Sequence, residues 1–213
     1  MPPNLEEIQF NFRRAKEALD KMTQAQTGQD LRDAWEDFLI FYARTMGKLI
    51  SAGKNASESK PWAYRLLAKS VKDDPGLFYL REARNVAEHG LTPFADFREP
   101  HVNVGGILVA ECPVENVTIF PNGVNSKLDR SGALTLSASG GKVTNTNKPK
   151  SPLIKEVPAS LNLKSVTNED NGKTADVPKS LNGVHLKDDA PRTLAQAGIE
   201  AMEGFIAEYQ GHF

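Results

Sequence analysis

Apolar side chains recur at intervals of three and four through the first ninety residues, and the recurrence stops after Pro93. That change of period divides the chain, because a 3.6-residue repeat buries one face of a helix whereas alternating or β-branched runs suit a pleated strand. Leu5, Ile8, Phe12, Ala15, Leu19 and Met22 place an amphipathic helix in residues 4–26, with Asn4 as its cap and Glu7 three positions on. Thr27-Gly28-Gln29 interrupts the pattern, and Asp30 is the expected cap of a second helix carrying Leu31, Trp35, Phe38, Leu39, Tyr42, Met46 and Leu49. A third helix is expected from near Ser59 to about Val71, with Pro61 in the first turn, where a missing amide hydrogen costs least.

The fourth helix has the clearest punctuation. Asp74 is its cap, Pro75 its first turn, Leu77 to His89 its body and Gly90 its stop. Helices joined by short polar links favour an up-and-down bundle.

Beyond Pro93 the composition shifts to Val, Thr, Ser, Asn and Gly. Strands are expected at Val102 to Glu111, Val114 to Phe120 and Ala133 to Val143, divided by Pro113 and by the turn Pro121-Asn-Gly123. A further pair is expected at Ala159 to Val166 and Ala175 to Val184, with Thr167 to Lys173 as its hairpin tip. That tip is no calcium loop: with Gly172 at the sixth position, the twelfth is Pro178 and not Glu. Asn145 to Pro152 is a linker-like excursion. Asp189 or Thr193 starts a last helix whose stripe Leu194, Ala197, Met202, Phe205 and Ile206 requires burial, and Gly211 ends it. The expected fold is α+β: a helical bundle over 1–98, an antiparallel β region over 99–188, and a helix over 189–213 docking back on the bundle.

The net charge of −1 argues against a broadly basic nucleic-acid binder, yet it conceals a local excess. Between Phe41 and Lys72 seven basic residues (Arg44, Lys48, Lys54, Lys60, Arg65, Lys69 and Lys72) face one acid, Glu58, so a cationic surface is available there. The lone Cys112 reads as an inert thiol, which fits a reducing, cytoplasmic setting, and the sequons at Asn55 and Asn116 carry no meaning in it. No stretch approaches the ~20 apolar residues of a membrane span, so no membrane association is expected. His101, His185 and His212 lack metal-ligand spacing to one another or to Cys112, and no metal site or cofactor is expected. Gly105-Gly106 and Gly140-Gly141 precede neither a helix nor a lysine and read as turns or bulges.

Within the fourth helix stands Arg84-Asn85-x-x-x-His89. This motif, a polar residue directly after the Arg and a His at the end of a late helix, resembles the HEPN family, over about residues 5–92. The resemblance implies a helical bundle, a homodimer with two motifs facing across the interface, and metal-independent RNA cleavage in toxin or defence settings. His89 is then the proton acceptor or donor, Arg84 the phosphate clamp and Asn85 the residue that orients the imidazole, while Arg44, Lys48, Arg65 and Lys69 bind the RNA substrate. The chemistry suits the residue types, since imidazole titrates near neutrality and guanidinium grips phosphate oxygens in pairs. Positions five apart on a helix differ by about 140° and 7.5 Å of rise, so Arg84 has to reach, whereas Asn85 and His89 are i and i+4 neighbours. Glu88 is placed to tether Arg84. Some toxins of the family carry a Tyr two positions after the His as the acceptor of nucleotide modification; Leu91 stands there in this chain, so control by that route is not expected. Tyr64 and Tyr79 are expected to pack with their hydroxyls at the surface. The alternative is a non-catalytic HEPN-like module that binds a nucleotide or, through the β region, a protein partner.

Overall fold

The computed structural model describes residues 5–89, 95–98, 101–104, 107–110, 125–128, 134–137, 154–157, 159–169 and 172–213. Helices and short antiparallel strands mix, as an α+β chain requires. The described residues fall into two compact units. One comprises residues up to 25, 29–97 and 161–213; the other comprises 26–28 and 98–160.

In the first unit, α1 (Leu5–Gln24), α2 (Gly28–Asn55), α3 (Lys60–Ala68), α4 (Pro75–His89) and α5 (Pro191–Gln210) follow the 3.6-residue stripes. The buried residues of α1 are Leu5, Ile8, Asn11, Ala15, Ala18, Leu19 and Met22, so five of the six predicted stripe residues are buried while Phe12 is half-buried against the core. Trp35 and Phe38 stack at 5.5 Å between ring centroids inside α2, both without solvent exposure. Truncating either to Ala costs about 3–5 kcal/mol, because the lost transfer energy is joined by the cavity left behind. α5 contributes Leu194, Met202, Phe205 and Tyr209 to the same core and packs against α1 and α4. A Cβ on Gly198 would lie 3.2 Å from Tyr42 and 3.3 Å from Leu80, so the bare backbone is what lets α5 come this near to α2 and α4. Surface pairs Lys21–Asp37 (3.1 Å) and Lys48–Glu7 (2.7 Å) link α1 to α2, each worth under about 1 kcal/mol.

Several element boundaries differ from the sequence expectation. α2 begins at Gly28, so Asp30 sits in its first turn, where a carboxylate favours the helix dipole. α3 ends at Ala68 and passes into a π-helical turn, Lys69–Asp73, in which the Asp74 amide donates to the Lys69 carbonyl at 3.1 Å. α5 starts at Pro191 after Ala190, without a side-chain cap; Asp188 instead accepts from the Ala190 amide, and the Thr193 hydroxyl with that amide holds its carboxyl below the ordinary range. Asp74 does cap α4, its Oδ1 accepting from the Leu77 amide at 2.9 Å.

The strands are shorter and more numerous than expected. β1 (Ala95–Arg98) pairs with β7 (Ser160–Leu163), and Lys164 reaches Asp96 at 2.6 Å. β8 (Val166–Asn168) and β9 (Lys173–Ala175) form an antiparallel hairpin on which α4 packs, with Gly172 at φ +67° in its tip. β10 (Ser180–Leu181) and β11 (Val184–His185) form another, so the run Ala175 to Val184 is not one strand. Asn182 and Gly183 have φ of 49° and 81°, the left-handed pair that a two-residue hairpin turn demands. The run Ala159 to Val166 is likewise divided between β7 and β8.

The second unit holds β2 (His101–Val104), β3 (Ile107–Ala110) and β6 (Ile154–Val157) in the antiparallel order β3-β2-β6, and β4 (Asn125–Leu128) paired with β5 (Leu134–Ser137). The expected single strand Val102 to Glu111 is two, since Val104 pairs with Ile107. Asn4, Gly90, Gly105-Gly106, Cys112, Pro113, the strand at Val114 to Phe120, the turn at Pro121 to Gly123, Gly140-Gly141 and the linker at Asn145 to Pro152 lie outside the described residues. Among the described residues no helix is long and apolar enough to cross a membrane.

Candidate functional site

Leu77, Leu80, Arg81, Arg84 and Asn85 follow one another at helical spacing along one face of α4, and that face meets α2 around a cavity of about 350 Å³. α2 supplies Tyr42, Ala43, Arg44, Met46, Gly47 and Ile50; Leu67 comes from α3 and Ser70 from the π-helical turn. Three arginines thus border a space whose walls are otherwise mainly aliphatic, and no acidic residue lines it among the described residues. A volume of this order is at the small end of ligand cavities, about 300–1,000 Å³.

Arg84 is held at one end only. A terminal nitrogen, Nη2, donates to Glu88 Oε1 at 2.5 Å, and Nη1 donates to Asn85 Oδ1 at a long 3.3 Å. Its Nε is buried and has no hydrogen-bond partner. Leaving a buried charged donor unpaired is costly, so this edge of the guanidinium is poorly satisfied where it stands. The expected Glu88 tether is present, and as an exposed i,i+4 pair it holds Arg84 weakly.

Asn85 is fixed from beneath. Its Nδ2 donates to Glu82 Oε2 at 3.4 Å, and the same oxygen accepts from Asn168 Nδ2 at 3.0 Å. Glu82 has no solvent exposure; its second oxygen, Oε1, lacks a hydrogen bond and stands 3.9 Å from Arg81 Nε. A buried carboxylate therefore joins the hairpin β8–β9 to the face of α4 that carries the motif. Tyr42, whose side chain also borders the cavity, carries a buried hydroxyl without a hydrogen-bond partner. Burial, with the charge of Asp74 added, pushes that phenol's titration far above the ordinary range, so it stays a neutral donor.

The sequence-predicted residues are dispersed. Arg44 lines the cavity with Arg84 and Asn85, its guanidinium 5.5 Å from the Phe41 ring. Lys48 pairs with Glu7, Arg65 is exposed on α3, and Lys69 lies 3.3 Å from Asn182 Oδ1; none of the three lines the cavity. His89 is the last residue of α4, and its side chain lies outside the described part of the structure. Tyr64 is exposed as expected, but Tyr79 is not: it is fully buried and its hydroxyl donates to the Lys164 carbonyl at 2.7 Å. Arg81, Tyr42 and Glu82 were not anticipated. Arg81 was legible, standing three and four positions before Arg84 and Asn85, whereas the Tyr42 hydroxyl reads in sequence as one more apolar position. Comparison of the chain with protein-family models, with curated proteins and with solved structures finds no match.

Proposed function

We propose that this chain is a metal-independent endoribonuclease of the HEPN type, a cytoplasmic homodimer acting in a toxin or defence setting. The observation that carries the reading is the position of Arg84: it sits late on α4, beside Asn85, on a cavity bordered by Arg44 and Arg81, with its Nε unsatisfied. In this reading Arg84 grips the non-bridging oxygens of an RNA phosphate, and the neighbouring guanidiniums add positive potential where charge builds. His89 takes the proton of the ribose 2′-hydroxyl. The oxygen then attacks the adjacent phosphorus, the bond to the 5′-oxygen breaks, and that oxygen leaves with a proton supplied by the second His89 of the dimer or by water. The products are a 2′,3′-cyclic phosphate and a 5′-hydroxyl. Asn85, anchored through Glu82, is the residue that orients the imidazole one turn on, and the second unit is the surface for a protein partner.

The test is RNA cleavage by the purified full chain in excess chelator, beside His89→Ala and Arg84→Ala. Each variant is expected to lose about 10²-fold or more, the scale of a lost general base or charge clamp. Equal rates in all three would assign the cleavage to another protein and end the reading.

A further inference from the structure

We infer that the exposed side of α3 is a holding surface for single-stranded RNA, separate from the cavity and built on Tyr64. The inference rests on the nuclease reading for the identity of the polymer, and it adds the substrate class: a strand free of base pairing. Elsewhere on the helices cations are neutralised, with Arg14, Lys16, Lys21, Arg32, Lys48 and Arg84 each meeting a carboxylate at 2.5–3.1 Å. Around α3 they are not. Lys54, Lys60 and Arg65 have no ion pair among the described residues. The one acid between Lys54 and Lys72 is Glu58, whose carboxylate is taken up by its own backbone and by Ser57. In the middle stands Tyr64, 53% exposed. Lys60 lies one turn before it on the same face of α3, Arg65 follows it, and the Lys54 ammonium is 5.1 Å from its ring centre. Free cations around one exposed ring are what a single strand requires, since lysine and arginine follow the phosphates while each base offers a flat face to stack. A duplex fits less well, because its bases already stack on one another and leave Tyr64 no face. A membrane fits less well too, because Tyr64 is the one large apolar side chain exposed on α3. A protein interface needs a wider apolar centre than a single ring. Three positions beyond Tyr64, Leu67 lines the cavity that Arg84 borders, so a strand held on α3 lies beside the proposed site of cleavage.

Lys60, Tyr64 and Arg65 are all exposed, so each can be replaced without opening the core. The probes are a labelled 2′-O-methyl oligouridine of about twelve residues, within the span of known single-strand sites, and a fully 2′-O-methyl duplex of equal length. Both are titrated into the full chain and read by fluorescence anisotropy, and sedimentation with phosphatidylserine vesicles is measured beside them. The single strand is expected to bind about tenfold or more tightly than the duplex, although the duplex carries the denser charge. Tyr64→Ala is expected to weaken strand binding about tenfold and Tyr64→Phe to leave it unchanged, since the ring stacks and the hydroxyl does not. Lys60→Ala combined with Arg65→Ala is expected to reduce the slope of log affinity against log salt by about 1.4, two phosphate contacts at about 0.7 each. Tighter binding of the duplex, sedimentation with the vesicles in place of strand binding, or parent-like binding by Tyr64→Ala overturns the inference. The probe has no free 2′-hydroxyl, so its binding is independent of cleavage. Loss of strand binding with RNA cleavage intact removes the α3 surface alone, and strand binding without RNA cleavage removes the nuclease alone.

Discussion

Asn168 donates its side-chain amide to Glu82 at 3.0 Å, joining the hairpin β8–β9 to the middle of α4 across 86 positions of sequence. The accepting carboxylate is wholly buried, and the same oxygen holds Asn85. One side chain thus sets both the packing of a hairpin on the helix and the orientation of the residue beside Arg84.

Glu82→Ala is accordingly expected to destabilise the protein by about 2–4 kcal/mol, since it removes the carboxylate that accepts from Asn168 and Asn85 and opens a void in its place. Chemical denaturation of the variant reads this directly. A loss below about 0.5 kcal/mol would mean that water replaces the carboxylate at no cost and that Glu82 is not an anchor.

Arg84→Lys retains the charge and removes the fork. Because Glu88 and Asn85 engage two nitrogens of one planar guanidinium, an arrangement that a lysine ammonium cannot reproduce, the geometry matters more than the charge. RNA cleavage is expected to fall about 10²-fold, as for loss of a positioned donor. Glu88→Ala, by contrast, is expected to change stability by no more than about 0.5 kcal/mol, the scale of an exposed i,i+4 pair. Parent-like cleavage by the lysine variant would rule out bidentate grip.

At Gly198 the tolerance is smaller. Its missing Cβ would meet Tyr42, Leu80 and Phe38 at 3.2, 3.3 and 3.4 Å, all three of them buried. Gly198→Val is expected to lower stability by about 1–3 kcal/mol through overpacking, seen as a fall in Tm. An unchanged Tm would show that α5 can slide outward freely.

Alkaline pH should unfold this protein through its buried phenols. Burial raises the Tyr42 and Tyr79 phenols well above their ordinary value of 10.0. In the unfolded chain they ionise near that value while the folded chain holds them neutral. The stability they contribute is therefore complete below pH 10 and declines as pH rises above it, because the unfolded state releases protons first. Tyr79→Phe removes one such group, along with its bond to the Lys164 carbonyl, at a cost of about 1 kcal/mol near neutrality. Between pH 9 and about 11 its stability is expected to fall less steeply than the parent's. Parallel curves would show that Tyr79 is not titrating in the unfolded state.

The helices were legible because each carries its own stripe and stop. Asp74 with Pro75 marked the start of α4 to the residue, and the aliphatic run of α5 announced its burial. Strand boundaries were obscured by competing signals. Asn182-Gly183 is a strong hairpin turn, yet it lies inside a run that also reads as one strand, and only the positive φ values decide between them. The π-helical turn has no sequence signature of its own, being a register shift between α3 and α4. Around the cavity, Arg84 and Asn85 could be named from the motif resemblance and Arg44 from local charge, whereas Glu82 and the Tyr42 hydroxyl could not be named. Glu82 looks in sequence like one more solvated acid of an Arg-rich helix; it is buried because Asn168, far along the chain, comes to meet it.

Asp74 uses its two oxygens on two distant parts of the chain: Oδ1 caps α4 through Leu77, and Oδ2 accepts from the Asn182 amide at 2.7 Å, 108 positions away. During synthesis, the helix bearing Arg84 therefore acquires its fully anchored start only after residue 182 has left the ribosome. Non-local closure of this kind comes late in folding. An unfinished chain therefore carries this helix with only one of its two anchoring contacts made at the start.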